Sequence, residues 1–551
     1  MSLLRNSNIA DLLLGDINGR FRSRRRREPL DPNRFPKIPS DEGTELMNSG
    51  QFGSSEAEKL REGEMIIGKK LARRILDREI AIESTAKREL NQRLMAQGMV
   101  PSSNADMIIH YNQPVYSGQF SNDGNFFFSV NKDFRVRMYD TSNPYKWRYY
   151  KTVDYPFGQW TLTDATLSPD NRYLAYTSIT PEVCLAPTDP NDKGDPYVLD
   201  LAGGQAARHA NQGWRSRSFG IWSVKFSGDG RRLVAGATEG KIVVYDIESR
   251  SVLHSFDGHD SDTNAVCFAD QSSPHIVYSG SDDRVIKVWD TRSMGGDREV
   301  GAFMGHIEGL TYIDSKGDGR YILSNGKDQS MKLWDLRMVM SRHEFRKMTP
   351  DVRNGNSNFD YRWSAWDDDE WYKDRNDNSL VTFRGHKVLR TLIRCHFSPP
   401  GSTNSRYVYS GSEDGKVYIW NMDATPAGVI DVQSATRNSR PRYQGFHQPG
   451  RWHQDVDDED SSAWKTCVRD ASWHPNAPVI VASAWNGYAM STGTCTVHSW
   501  NDGAEKDEAD PKMGYRVNQK LEVDPALYGA TPDMGPGRMS ARVRNSRLFV
   551  P

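Results

Sequence analysis

Cysteine is scarce in this chain: five in 551 residues, widely separated and without a CxxC pair. Neither a disulfide framework nor a cysteine metal site organises it, and a reducing compartment, cytosol or nucleus, is expected. Long apolar runs are missing too. No stretch reaches the ~18 residues of a membrane helix. The opening MSLLRNSNIADLLLGDINGRF also lacks the apolar block, ~7–15 residues long, of a secretory signal, so no membrane partner is expected. Charge of one sign is absent: Lys+Arg 71 against Asp+Glu 72 leaves a net charge of −1, which makes no case for direct nucleic-acid binding. The motifs HExxH, GxSxG and GxxxxGK[ST] do not occur, so the chain is not expected to be an enzyme or to carry a cofactor. Glycine and proline, 45 and 27, are at an ordinary globular level, and 15 Trp, 23 Tyr and 20 Phe supply ample core. Collagen-like and wholly disordered classes fall away.

What is present is repetition. Gly258-His259 leads to VYSGSDDRVIKVWDTR (277–292), and Gly305-His306 leads to ILSNGKDQSMKLWDLR (322–337). Gly385-His386 leads to VYSGSEDGKVYIWNMD (408–423). Trp289 and Trp334 lie 45 residues apart, within the ~40–45-residue period of propeller blades. SGSDD and SGSEDG read as tight turns between β-rich runs such as VIKVW and VYIW. These segments resemble WD40 repeats, each a four-stranded antiparallel blade. The resemblance implies one buried hydrogen-bonded set per blade: His259, Ser279, Asp283 and Trp289; His306, Ser324, Asp328 and Trp334; His386, Ser410, Asp414 and Trp420. Such polar groups are tolerated inside a sheet only when each satisfies another.

Weaker blades flank these three. One keeps Ser129, Asp133 and Tyr139-Asp140, and another has Glu239 and Tyr245 where Asp and Trp are usual. Tyr139 and Tyr245, 106 residues apart, leave room for a degenerate blade starting at WTLTDATLSPD. The last blade, CVRDASWHP onward, is stretched between Asn486 and Trp500. The sum is an all-β, seven-bladed WD40 propeller over 105–502 with an N-terminal helical extension. Residues 106–111 (DMIIHY) are expected to close the ring as the outer strand of the last blade, removing two free edges. Insertions are placed at about 338–379, aromatic and acidic, and at about 425–463, which holds the acid run Asp455 to Asp460. Composition predicts disorder over 1–55, with its Arg24 to Arg27 run, and a helical extension over 56–104. Within that extension Leu71, Ile75, Leu76, Ile80, Leu90 and Leu94 recur at helical spacing. Residues 503–551 form a patternless tail.

Site candidates are few. His447 and His453 beside the acid run lack fixed ligand spacing, so no metal site is expected. Cys267 and Cys395 sit in apolar strand runs and read as core. The Arg24–Arg27 run reads as a solvated segment or a nuclear-import signal. The sharper signal is WDxR ending two adjacent blades, Trp289-Asp290-Thr291-Arg292 and Trp334-Asp335-Leu336-Arg337, whereas the third has Trp420-Asn421-Met422-Asp423. This resembles the double box of WD-repeat proteins that dock on the damaged-DNA-binding adaptor of cullin-4 RING ubiquitin ligases. Asn325 departs from that box's small residues.

Stretches such as IDSKGDGRYILSNGKDQSMKLWDLR, FDYRW, SLVTFRGHKVLRTLIRCHFSP and CVRDASWHP are similar, over roughly 105–500, to the DDB- and cullin-4-associated factor eleven group. Its members are also called LEC-fourteen-B-like WD-repeat proteins. The resemblance implies a non-catalytic substrate receptor that recruits proteins for ubiquitination and proteasomal degradation, in nucleus and cytoplasm. Arg292 and Arg337 would present guanidinium forks to the adaptor. Arg73, Arg74 and Arg78 in KKLARRILDREI resemble the helical element that such receptors insert into it; the alternative is an amphipathic helix packed on the propeller itself. A generic WD40 scaffold in an RNA-processing or chromatin complex stays open beside this reading.

Overall fold

A computed structural model describes residues 34–53, 76, 79, 96–158, 160–192, 194–203, 219–293, 299–348, 359–437, 439, 464–487, 490–500 and 512–513. Seven antiparallel sheets form a ring of blades. The first strands of blades 1 to 7 are Val115–Phe120, Leu162–Leu167, Ile221–Phe226, Thr263–Phe268, Leu310–Ser315, Cys395–Phe397 and Lys465–Trp473. Each blade runs outward by hairpins, in blade 4 through Ile276–Ser281 and Ile286–Asp290 to Gly301–Phe303. We call bottom the face holding the connections from first to second and from third to fourth strands. The top holds the second-to-third connections and the links between blades.

The inner strands read as near-continuous apolar runs because each blade is covered on both faces by its neighbours. Thr263–Phe268 and Tyr321–Gly326 are buried throughout. The apolar clusters are shared between blades: Tyr312, Leu323, Leu333 and Phe383 of blade 5 pack with Phe397, Val408 and Trp420 of blade 6. The second-to-third hairpin demands a left-handed residue. Blade 6 supplies Gly415 (φ 81°), but blades 4 and 5 place Arg284 (φ 72°) and Gln329 (φ 60°) there, a conformation that strains a side chain with a Cβ. In those two blades the turn is fixed by Asp283 and Asp328, which accept from the backbone N–H two residues on.

Closure is as expected. Ala105–Tyr111 pairs antiparallel with Thr492–Ser499, Ile108 opposite Thr496 and Ile109 opposite Cys495. The stretch between Asn486 and Trp500 is taken up by long strands, Val479–Gly487 and Thr492–Ser499. In the tail, Lys512–Met513 adds a short parallel strand against Met107 and Ile108.

Three boundaries are corrected. The insertion placed from 425 begins later, because Pro426–Asp431 is the fourth strand of blade 6. The 338–379 insertion is partly built into the ring: Met340–Ser341 adds a fifth strand to blade 4, followed by the helix Arg342–Lys347 with a Ser341/Glu344 capping box. The expectation of disorder over 1–55 fails for 34–53. There Ser40 caps the helix Asp41–Asn48, and Met47 and the fully buried Phe52 join the core between blades 5 and 6. A polar, Gly- and Ser-rich composition conceals the few large apolar side chains that anchor such an arm. Of the helical stretch 56–97, only Leu76, Glu79, Ala96 and Gln97 are described, all helical. The Arg24–Arg27 run, His447, His453 and the acid run lie outside the described residues.

Candidate protein-docking surfaces

The bottom rim of blades 4 and 5 presents the two WDxR arginines. Asp290 and Asp335 end the third strands, and each carboxylate accepts the backbone N–H of the Arg two residues on, at 3.0 Å. The guanidinium then folds back on the same carboxylate as a fork: Arg292 Nε and Nη2 donate to Asp290 at 3.0 and 2.8 Å. Arg337 Nε and Nη2 donate to Asp335 Oδ2 at 3.0 and 2.7 Å. The arginine side chains remain 67% and 69% exposed. Hydrogen bonding from Arg292 holds the Asp290 carboxyl below its usual range. For Asp335, burial works the other way and is outweighed by Arg337 and Arg320. The x-position of the motif thus sets a tight turn, and the Asp orients the Arg. A flexible cation becomes a pre-set fork whose outer N–H groups meet no acceptor among the described residues and suit an acidic or carbonyl partner.

The N-terminal arm lies on this same rim. Gln51 accepts from the Tyr321 hydroxyl (2.6 Å) and from Arg320 Nη1 (3.3 Å). Arg320 in turn shares Asp335 with Arg337. Lys316 donates to the Gln51 carbonyl and sits 4.4 Å over the Phe52 ring. Gly53 packs against Gln97, whose carbonyl accepts from Tyr407. Gly53 and Gln97, which flank the stretch 54–95, are thus in contact on this face. Arg73, Arg74 and Arg78 fall within that stretch, outside the described residues.

Two of the three expected buried sets are closed. In blade 4 the Trp289 indole donates to Ser279 (2.7 Å), and Ser279 meets His259 Nε2 (2.7 Å). His259 Nδ1 meets Asp283 at 2.7 Å. Blade 5 repeats the chain with Trp334, Ser324, His306 and Asp328 at 2.8, 2.7 and 2.9 Å. Asp328 is fully buried, and its carboxyl, raised by burial alone, is pulled down to about 2 by His306 and Ser330.

The third set is not closed. His386 Nε2 donates to Asn325 of blade 5 (2.8 Å), Ser410 donates to the Arg394 carbonyl, and Asp414 accepts from Tyr418 (2.7 Å). Asn325 stands where blades 4 and 6 carry Gly280 and Gly411. Its amide reaches across the blade interface to the Ile393 carbonyl and Ser410, and so takes the partners that the set requires. Burial lowers His386 to about 4, so it is neutral at physiological pH.

The channel holds an ionic network that motif reasoning did not find. Arg394 of blade 6 reaches Asp164 of blade 2 at 2.8 Å and Asp470 of blade 7 at 3.6 Å. Lys225 of blade 3 approaches Asp164 at 3.7 Å. His396 lies between Asp470 (2.8 Å) and Asp314 (3.7 Å). Burial, which alone would lower His396, is outweighed by those carboxylates, and its pKa is pushed up to about 9. Asp164, Arg394 and Asp470 share one position along the inner edge of their blades, Arg394 just before Cys395–Phe397, and Lys225, Asp314 and His396 share the position two residues on, a regularity that only a blade-by-blade register exposes. A third fork was also missed. Asp360-Tyr361-Arg362, inside FDYRW, has the D-x-R spacing and the same geometry, Arg362 Nε and Nη2 donating to Asp360 at 2.9 and 2.7 Å. Next to it, Trp363 is 76% exposed.

Comparison with known proteins adds family context. Residues 161–326 match the family described as "Nucleolar protein 10-like, N-terminal domain", and 106–140 and 377–421 match "WD domain, G-beta repeat". The chain is 40% identical over 379 residues to a LEC14B homolog of Prunus armeniaca, covering 68% of this chain and 71% of that protein. It is 39% identical over 376 residues to the LEC14B protein of Lithospermum erythrorhizon, with coverage of 68% and 71%. A DDB1- and CUL4-associated factor 11 homolog of Caenorhabditis elegans is 31% identical over 397 residues, 70% of this chain and 61% of that one.

Proposed function

The chain belongs to the LEC14B and DDB1- and CUL4-associated factor 11 family of WD-repeat proteins, and from that premise we propose that it is a non-catalytic substrate receptor of a cullin-4 RING ubiquitin ligase. It docks on the ligase adaptor by its bottom face and recruits proteins for ubiquitination, in nucleus and cytoplasm. The observation that carries this reading is the pair of exposed arginine forks on adjacent blades, each held by its own Trp-Asp carboxylate. The arm supports it. Gln51, Arg320, Asp335 and Arg337 form one hydrogen-bonded chain, and Gly53 and Gln97, which flank the helical stretch, lie in contact beside it. Arg–carboxylate forks at such a rim act as anchors when an interface desolvates them.

A second reading, a scaffold in another nuclear complex, is favoured by the match to the nucleolar protein 10-like domain, which runs from blade 2 to the second strand of blade 5. Affinity purification of the full chain separates the two. The receptor reading expects the adaptor and the cullin to co-purify. Recovery of RNA-processing or chromatin subunits without them would favour the scaffold.

A further inference from the structure

The top mouth of the channel carries a cation that no carboxylate contacts among the described residues. Arg469, on the first strand of blade 7, is 5% exposed. Its Nε donates to the Thr391 hydroxyl (3.1 Å) and its Nη1 to the Tyr116 carbonyl. Both partners are neutral. Among the described residues no carboxylate lies within 4.0 Å of it, whereas Arg394, Lys225 and His396 are each paired. Among the described residues of this network four cations, Arg394, Lys225, Arg469 and His396, the last protonated at neutral pH, face three carboxylates, Asp164, Asp314 and Asp470. Burial and the neighbouring Arg394 outweigh the more distant Asp470 and Asp164 and depress Arg469 to about 10. A buried charge of this kind is expensive unless something pairs with it.

Aromatic rings surround that charge. Arg469 lies 5.0 Å over the Tyr116 ring. Tyr116 packs on Trp485 (5.0 Å) and Trp160 (5.9 Å), and Trp160 on Trp222 (6.4 Å). Trp160, in the link from blade 1 to blade 2, is 55% exposed and held at a left-handed φ of 63°. Trp485 Nε1 is buried without an acceptor among the described residues. A large apolar ring kept in solvent on a strained backbone, beside an unpaired cation, is a site built for an occupant.

We propose that this mouth binds a peptide segment in which an oxyanion side chain reaches Arg469 while an adjacent bulky apolar side chain packs on Trp160 and Trp222. Identifying that segment with the substrate rests on the receptor reading; the binding itself does not.

The test selects a random short-peptide display library on the full-length chain, then measures synthetic versions of the enriched peptides. Expected peptides carry Asp or Glu beside a large apolar residue. Exchanging that acid for Gln, or Trp160→Ala or Arg469→Gln in the protein, weakens binding by about tenfold or more. Phosphoserine in place of the acid decides between phosphate and carboxylate as the occupant, and either result upholds the site. Trp160 is exposed, so its variant keeps the test valid should Arg469→Gln fail to fold. Absence of enrichment, enriched peptides without an acid, or indifference to Trp160→Ala overturns the proposal. Peptide binding without adaptor co-purification would remove the receptor reading and leave this site standing; the converse would do the reverse.

Discussion

Asp328→Ala and Asp414→Ala remove the same side chain from the same place in neighbouring blades, and their consequences differ. Asp328 accepts four hydrogen bonds: from His306 Nδ1 (2.9 Å), the Ile307 N–H (3.0 Å), the Ser330 N–H (3.0 Å) and the Ser330 hydroxyl (2.6 Å). All of these groups are buried. Truncation leaves at least three donors unpaired at about 1–3 kcal/mol each, and with partial relaxation the loss is about 3–5 kcal/mol. Among the described residues Asp414 accepts only from the Tyr418 hydroxyl and its buried Oδ1 has no partner, so its loss amounts to about 1 kcal/mol or less. Urea unfolding of the two variants measures the difference, and native-state hydrogen exchange of Tyr321–Gly326 locates it. Equal losses would refute the assignment of a closed set to blade 5 and an open one to blade 6. Acid gives a second view. The Asp328 carboxyl is depressed to about 2, so its contribution is complete above pH ~4 and disappears as pH falls through ~2.

Other expectations follow from the same geometry. A chain starting at residue 115 loses the strand Ala105–Tyr111 and with it cooperative melting. One starting at 100 keeps the ring but melts earlier, having lost Met47 and Phe52. Phe52→Ala alone lowers stability by about 3 kcal/mol or more in chemical unfolding, since the ring is fully buried between Tyr321 and Lys316. His396 is raised to about 9, so its contribution of about 3 kcal/mol is present below pH ~6.5 and is lost as pH rises through 9. Stability measured across that range should fall in the wild type and stay flatter in His396→Gln.

What the sequence disclosed was whatever repeats. Trp289 and Trp334 at blade spacing, Trp420 ending the same motif beyond an insertion, and the Gly-His pairs before all three made the propeller legible, because every blade needs the same turn and strand chemistry. What escaped depends on contacts between blades. Asn325 looks like a small lapse in a motif, yet its amide redirects His386 and Ser410 and dismantles the neighbouring set. Arg394 and Asp164 are 230 residues apart and meet only across the channel. The arm residues Met47 and Phe52 stand alone in a polar stretch, so no periodicity announces them. Arg292 and Arg337 were legible as a pair. Their bidentate attachment to Asp290 and Asp335, and the link from Arg337 through Arg320 to Gln51, are visible only in the folded chain.

Binding of the full-length chain to the purified adaptor, wild type against Arg292→Ala plus Arg337→Ala, tests the receptor reading most directly. Both side chains are solvent-facing, so the double variant should melt at the wild-type temperature while its affinity for the adaptor falls by about tenfold or more. Wild-type affinity in the double variant would contradict the account.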